Sequence, residues 1–269
     1  MKRILALAGL PLIVCALAAA QANNPGRIVI PARGGNHPRI VEANLLHGSI
    51  TVRTGAGGDI YVDSPALERR SGPQPRGTEG MRRIDSPFFT PLQVEENGDV
   101  VHINVMSGTE EGGGLTVTVP VNTSLKINCT HGSINVEGVQ GEIDVSGVHG
   151  NITLTNVSGT VVANATHGFI KASMDRVDPS KPLSFVTLDG NVDVTLPADL
   201  HATLRMKTFH GDIWSDFDVK LTGGGGPIRI GAPGRSRIDF DRTVTGTING
   251  GGTEITLNTV NGRILIHKK

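Results

Sequence analysis

Five glycines at a fixed interval constrain this chain more than any other feature. Gly132, Gly141, Gly150, Gly159 and Gly168 stand nine residues apart. In rows the stretch reads HGSINVEGV, QGEIDVSGV, HGNITLTNV, SGTVVANAT, HGFIKASMD. Two residues after each glycine comes an aliphatic: Ile134, Ile143, Ile152, Val161 and Ile170. Two further on comes another apolar residue: Val136, Val145, Leu154, Ala163 and Ala172. Alternation of this kind marks a short strand followed by a turn. A fixed period marks a repeat architecture, in which no single unit buries its own apolar face.

A second period lies inside the first. The residue before the glycine runs His131, Gln140, His149, Ser158, His167, so histidine returns every eighteen residues. One coil is therefore two nine-residue half-coils, and the fold class is all-β, a single-domain parallel β-solenoid. Ile134, Val136, Ile143, Val145, Ile152 and Leu154 are expected inside. Ser133, Asn135, Glu142, Asp144, Asn151, Thr153 and Lys171 are expected outside. Calcium-binding nonapeptide rolls need Asp and several glycines in every turn. HGSINVEGV has no such ladder, which excludes calcium.

Residues 1–22 read as a signal peptide and residues 23–269 as the solenoid domain. Lys2 and Arg3 precede an apolar run, and Ala20-Gln21-Ala22 fits a small-x-small cleavage site. Val14 before Cys15 does not fit a lipidation site. Export is thus expected, to the periplasm or the cell surface, with no transmembrane segment in the mature chain. Without Lys2 and Arg3 the chain keeps 23 basic residues against 25 acidic. Such a balance gives no general pull toward nucleic acid. Aromatics at 3% leave little for stacking platforms. Cys129 is the only cysteine after the leader, so no internal disulfide forms. Its place in the alternation Leu125, Ile127, Cys129 points it inward.

Copies of the strand pattern precede the regular core, in HGSITV at His47–Val52 and GGDIYV at Gly57–Val62. Arg27–Pro31 and Ile40–Ala43 read as opening strands, and the repeat resumes at Leu92–Val94 and Val100–Val105. An insertion at residues 64–91 interrupts it. This segment is rich in Pro, Gly, Ser and Arg, and it reads as a solvated excursion. Were it functional, it would be a basic, aromatic-tipped binding loop presenting Arg69, Arg70, Arg82, Arg83, Phe88 and Phe89. LTVTVP and NVDVTLP head two similar blocks, each a strand ending in Pro, a turn, a second strand and His-Gly. The ending EITLNTVNGRILIHKK reads as a hairpin-like pair about Asn261-Gly262. Lys268 and Lys269 then charge the end of the stack against edge pairing.

The T-V-N-G-x-I-x-I form at Thr259–Ile266, the VTLP block and the GGGTEITLNTVNGRI ending resemble the bacterial adhesin-type β-strand-repeat family, whose function is undefined. The resemblance runs from Ile40 to the C-terminus, less the insertion. It implies an exported envelope protein with a parallel β-solenoid; some relatives are linked to envelope stress responses. It carries over no catalytic residue.

The expected function is a non-enzymatic envelope or surface module, an adhesin, binding unit or scaffold. Its partner is an envelope component, glycan or protein, and no cofactor is implied. A carbohydrate-active enzyme is the alternative. It would need a carboxylate pair such as Glu142 and Asp144, but no Lys or Arg stands near them in the regular core. The histidines supply a further alternative. Five of nine precede a glycine, where chance gives about one. No metal site is assigned on this pattern; His131, His149 and His167 are the residues that would form one, stacked about 4.8 Å apart. The competing reading is a corner residue that tolerates a left-handed turn, as Asp189 and Asn261 do at the equivalent places.

Overall fold

A computed structural model describes residues 27–32, 38–64, 92–105, 114–223, 227–230, 237–240 and 243–269. The signal peptide and the six residues of the proposed binding loop lie outside the described residues. The chain is all-β. Its strands are β1 (Arg27–Ile30), β2 (Ile40–His47), β3 (Ile50–Thr54), β4 (Ile60–Asp63), β5 (Leu92–Asn97), β6 (Val100–Val105) and β7 (Leu115–Val119). The regular core follows with β8 (Ser124–His131), β9 (Ile134–Glu137), β10 (Gln140–His149), β11 (Ile152–His167) and β12 (Ile170–Val177). Then come β13 (Leu183–Asp189), β14 (Val192–Leu196), β15 (Ala202–His210), β16 (Ile213–Ser215), β17 (Lys220–Gly223), β18 (Pro227–Ile230), β19 (Arg237–Phe240), β20 (Thr243–Ile248), β21 (Thr253–Asn261) and β22 (Ile264–Lys268).

Two faces enclose the core. One runs β5, β6, β2, β8, β10, the second half of β11, β13, β21, β15, β20, β17. The other runs β1, β4, β7, β3, β9, the first half of β11, β12, β14, β22, β16. Pairing among β8–β12 is parallel with a shift of eighteen residues, as in Gln140 opposite Ser158 and Ile152 opposite Ile134. Residues 178–182 widen one coil, so Val162 meets Ser184. The expected inward residues are inward: Ile134, Ile143, Ile152, Val161 and Ile170 are at most 1% exposed. The expected outward residues all reach the surface.

The two corners of a coil differ. At the His-Gly corner the strands break. At the other corner β11 continues for 16 residues, bent by an irregularity in register between Leu154 and Ser158. Asn156 takes φ +51° there.

The order of coils along the stack departs from the order in the chain. β21 lies between β13 and β15, and β22 between β14 and β16. The C-terminal coil is therefore an interior coil. β21 and β22 do not pair with each other, which corrects the hairpin reading: Asn261-Gly262 is a corner. Lys268 is not an end-of-stack charge either, since it sits opposite Leu196 on β14. The same happens at the other end, where β2 and β3 are held between β6/β7 and β8/β9. Leu92–Val94 is likewise no coil strand, because β5 pairs antiparallel with β6 as one arm of a hairpin.

This arrangement explains why two Pro-headed blocks look alike. The chain from β7 to β8 and that from β14 to β15 each step over an inserted coil, two strand spacings or about 9.6 Å. Both steps use the same turn. The Thr123 N–H donates to the Pro120 carbonyl at 3.2 Å, and the Leu200 N–H donates to that of Pro197 at 3.2 Å. Antiparallel strands close the ends, β5 over β6 and β20 over β15.

Candidate functional site

The corner before each glycine builds one column across seven coils. Its members in spatial order are His47, His131, His149, His167, Asp189, Asn261 and His210. The glycine that follows explains why the column is so regular. A Cβ on Gly150 would lie 2.2 Å from the Gly132 carbonyl oxygen, and one on Gly168 would lie 2.1 Å from that of Gly150. Coils approach this closely only where side chains are missing. The Gly132 N–H donates to the His149 carbonyl at 2.8 Å, and the Gly150 N–H to the His167 carbonyl at 3.0 Å.

The glycines, not the histidines, take the left-handed backbone: φ is +142° at Gly132 and +145° at Gly150, while among the described residues the non-glycine positions with positive φ are Asn156 and Asn249. The left-handed reading of the histidines is thereby corrected. They end extended strands and hold their rings in solvent above the glycine track.

The rings form a ladder. Centroids of His47 and His131 are 4.9 Å apart, of His131 and His149 4.9 Å, and of His149 and His167 5.1 Å, with planes within 10° of parallel. The column continues through polar contacts. His167 Nε2 lies 3.6 Å from Asp189 Oδ2. Asn261 Nδ2 donates to Asp189 Oδ1 at 2.6 Å, and Asn261 Oδ1 lies 3.0 Å from His210 Nδ1. A carboxylate thus follows the histidines directly, at the corner place that Asp189 holds before Gly190. Among the described residues, no group of three His, Cys, Asp or Glu side chains could hold a metal ion.

Beneath the column lies its inward partner: Cys129, Gly147, Ala165, Thr187, Thr259 and Thr208. Thr187, Thr259 and Thr208 each donate a hydroxyl at 2.9 Å to a corner glycine carbonyl, those of Gly168, Gly190 and Gly262. Cys129 does the same with its thiol toward Gly48 at 3.4 Å. Burial pushes that thiol up from its ordinary pKa.

The carboxylate pair of the enzyme alternative has cationic neighbours after all. Lys181, from the widened coil, forms an ion pair with Glu142, which raises the Lys181 pKa. Lys126 stands beside Asp144 in register. Both lysines come from outside the regular repeat of residues 130–174, to which the expectation is confined, and the stack brings them in from other coils. The Glu142–Lys181 contact is a surface ion pair, and Lys126 pairs with Glu42. Sequence reasoning also passed over Trp214, which is 63% exposed on β16 next to Leu265 of β22. Its signal was its place in the alternation of Ile213-Trp214-Ser215, opposite Ile264-Leu265-Ile266. A shallow hollow near the other end is lined by Asn44, Asn104 and Asn128. Their amides are hydrogen-bonded in a row, at 3.1 and 2.9 Å.

The family model of the Toastrack DUF4097 family matches residues 41–267. The chain belongs to this family. Among solved structures, it is similar to a putative cell adhesion protein from Clostridium sporogenes at 12% identity, covering 91% of this chain and 100% of that one, with a TM-score of 0.42. It is also similar to a putative adhesin from Bacteroides fragilis at 8% identity, covering 90% and 96%, with a TM-score of 0.30. No curated protein matches the chain.

Proposed function

We propose that this protein is a non-enzymatic module of the cell envelope or surface, which binds or spaces its partners through the flat outer faces of the stack. The supporting observation is the surface itself. Rows of side chains at strand spacing offer a repetitive, rigid array of polar groups, with exposed apolar groups such as Trp214 and Phe209 among them. Among the described residues no helix is long and apolar enough to cross a membrane. Export by the residue 1–22 leader, with residues 23–269 as the mature domain, is part of the proposal.

The test is binding of the purified protein to isolated envelope fractions, with and without residues 64–91, beside turnover assays on acidic and neutral polysaccharides. Saturable binding without bond cleavage is expected. Reproducible cleavage that is lost in Glu142→Gln or Asp144→Asn would replace this reading with the enzymatic one.

A further inference from the structure

We infer that the hollow on the face formed by β5, β6, β2 and β8 is a binding site for a neutral sugar. The inference rests on the reading of the protein as a binding module and names the ligand class for one place on its surface. The hollow holds about 470 Å³. Small-molecule sites span about 300–1,000 Å³.

Its lining excludes a charged ligand. Asn44, Asn104, Asn128, Gln93 and Thr130 supply the polar groups, and no residue that lines it is charged. Two residues back along the strands, Glu42 is engaged by His102 at 3.1 Å and by Lys126 at 3.6 Å. A charged ligand would lose water in the hollow and meet no opposite charge there.

The amides form a directed row. Asn128 Nδ2 donates to Asn44 Oδ1 at 2.9 Å, and Asn44 Nδ2 donates to Asn104 Oδ1 at 3.1 Å. Each bond uses one of the two hydrogens on an amide nitrogen and one of the two lone pairs on an amide oxygen. The row therefore keeps donors and acceptors side by side, repeated at the strand spacing of about 4.8 Å. A hydroxyl both donates and accepts, so a ligand with several hydroxyls meets both kinds of group. The same bonds fix the amides before the ligand arrives, which lowers the ordering cost of binding. Gln93, opposite Asn104, is held likewise by Glu95 at 2.5 Å. Leu46 is 48% exposed at the edge of the row and offers apolar surface to the C–H face of a sugar ring.

The probes are cellobiose and N,N′-diacetylchitobiose, with digalacturonate as the charged control. Each is titrated into isotopically labelled protein and followed by NMR through the side-chain amides of Asn44, Asn104 and Asn128. At least one neutral disaccharide should shift these signals saturably, and digalacturonate should not. Asn44→Ser and Asn128→Ser should each weaken binding about tenfold, the worth of one neutral hydrogen bond. Circular dichroism should stay native, because Ser146 already holds the next place in that column. Asn164→Ser, in the same column but outside the hollow, should bind as wild type does. If a serine variant misfolds, Leu46→Thr, which copies Thr130 on the next coil, must weaken binding instead. Absence of a shift with both neutral sugars overturns the inference. So does an equal response to digalacturonate, or equal loss in Asn164→Ser. Wild type that binds envelope fractions but neither sugar overturns the hollow alone. Wild type that binds a sugar in the hollow but no envelope fraction supports the site and overturns the envelope partner.

Discussion

Two glycines of the same strand region have opposite tolerance for a side chain. Gly150 holds φ +145°, and a Cβ there would lie 2.2 Å from backbone. Gly147 faces inward, where a Cβ would meet Ile152 at 3.7 Å, ordinary contact. Gly150→Ala should therefore cost about 3 kcal/mol or more, while Gly147→Ala changes stability little; urea unfolding of the two variants checks this. Cys129 makes a second contrast. It is 2% exposed, its thiol is pushed up by burial, and its role in the column is that of threonine elsewhere. Native protein should resist thiol reagents that label the unfolded chain at once. Cys129→Thr should fold normally, because the hydroxyl can donate to Gly48 as Thr187 does to Gly168. Rapid labelling of the native state would contradict the assigned burial.

At the level of the half-coil, alternation decides everything, because a slip of one residue would turn each side chain to the opposite face. Leu154 is 1% exposed near the start of β11, while Thr153 beside it reaches solvent. Leu154→Ala should cost on the order of 2–5 kcal/mol and Thr153→Ala less than about 1, read as shifts of the urea midpoint at constant slope. Strand length was harder to read than strand position. The repeat suggests units of about four residues, yet β11 runs through a whole corner. Glycine at the His-Gly corner interrupts the ladder, whereas Asn156 and the shifted register of β11 bend it without breaking it.

For the molecule as a whole, the intercalated ends matter most. In a simple solenoid, removing the last coil deletes one interface. Here it deletes two, because β21 joins β13 to β15 and β22 joins β14 to β16. Truncation after Gly252 should thus detach β15–β17 and β20 from the stack. Limited proteolysis should cut first between residues 197 and 252, and hydrogen exchange should lose protection over β15. If β15 stays protected in the truncated chain, it has closed the gap onto β13 and the intercalation is not essential.

The sequence by itself determined the repeat, the parallel pairing shift of eighteen residues, the inward and outward sets and the stacking of the histidines. Each of these follows from a local period: two for the strand, nine for the half-coil, eighteen for the coil. Tertiary structure alone decided which coil sits beside which. Every coil presents the same kind of edge, of unpaired N–H and C=O groups, to either neighbour, so periodicity does not rank the pairings. The order depends on which slots the Pro120 and Pro197 turns leave open and on the antiparallel strands that close the ends. The candidate site depends on that order too: His149 and His167 were legible from their spacing, but the Asn261 amide reaches Asp189 only because the last coil of the chain is not the last coil of the stack.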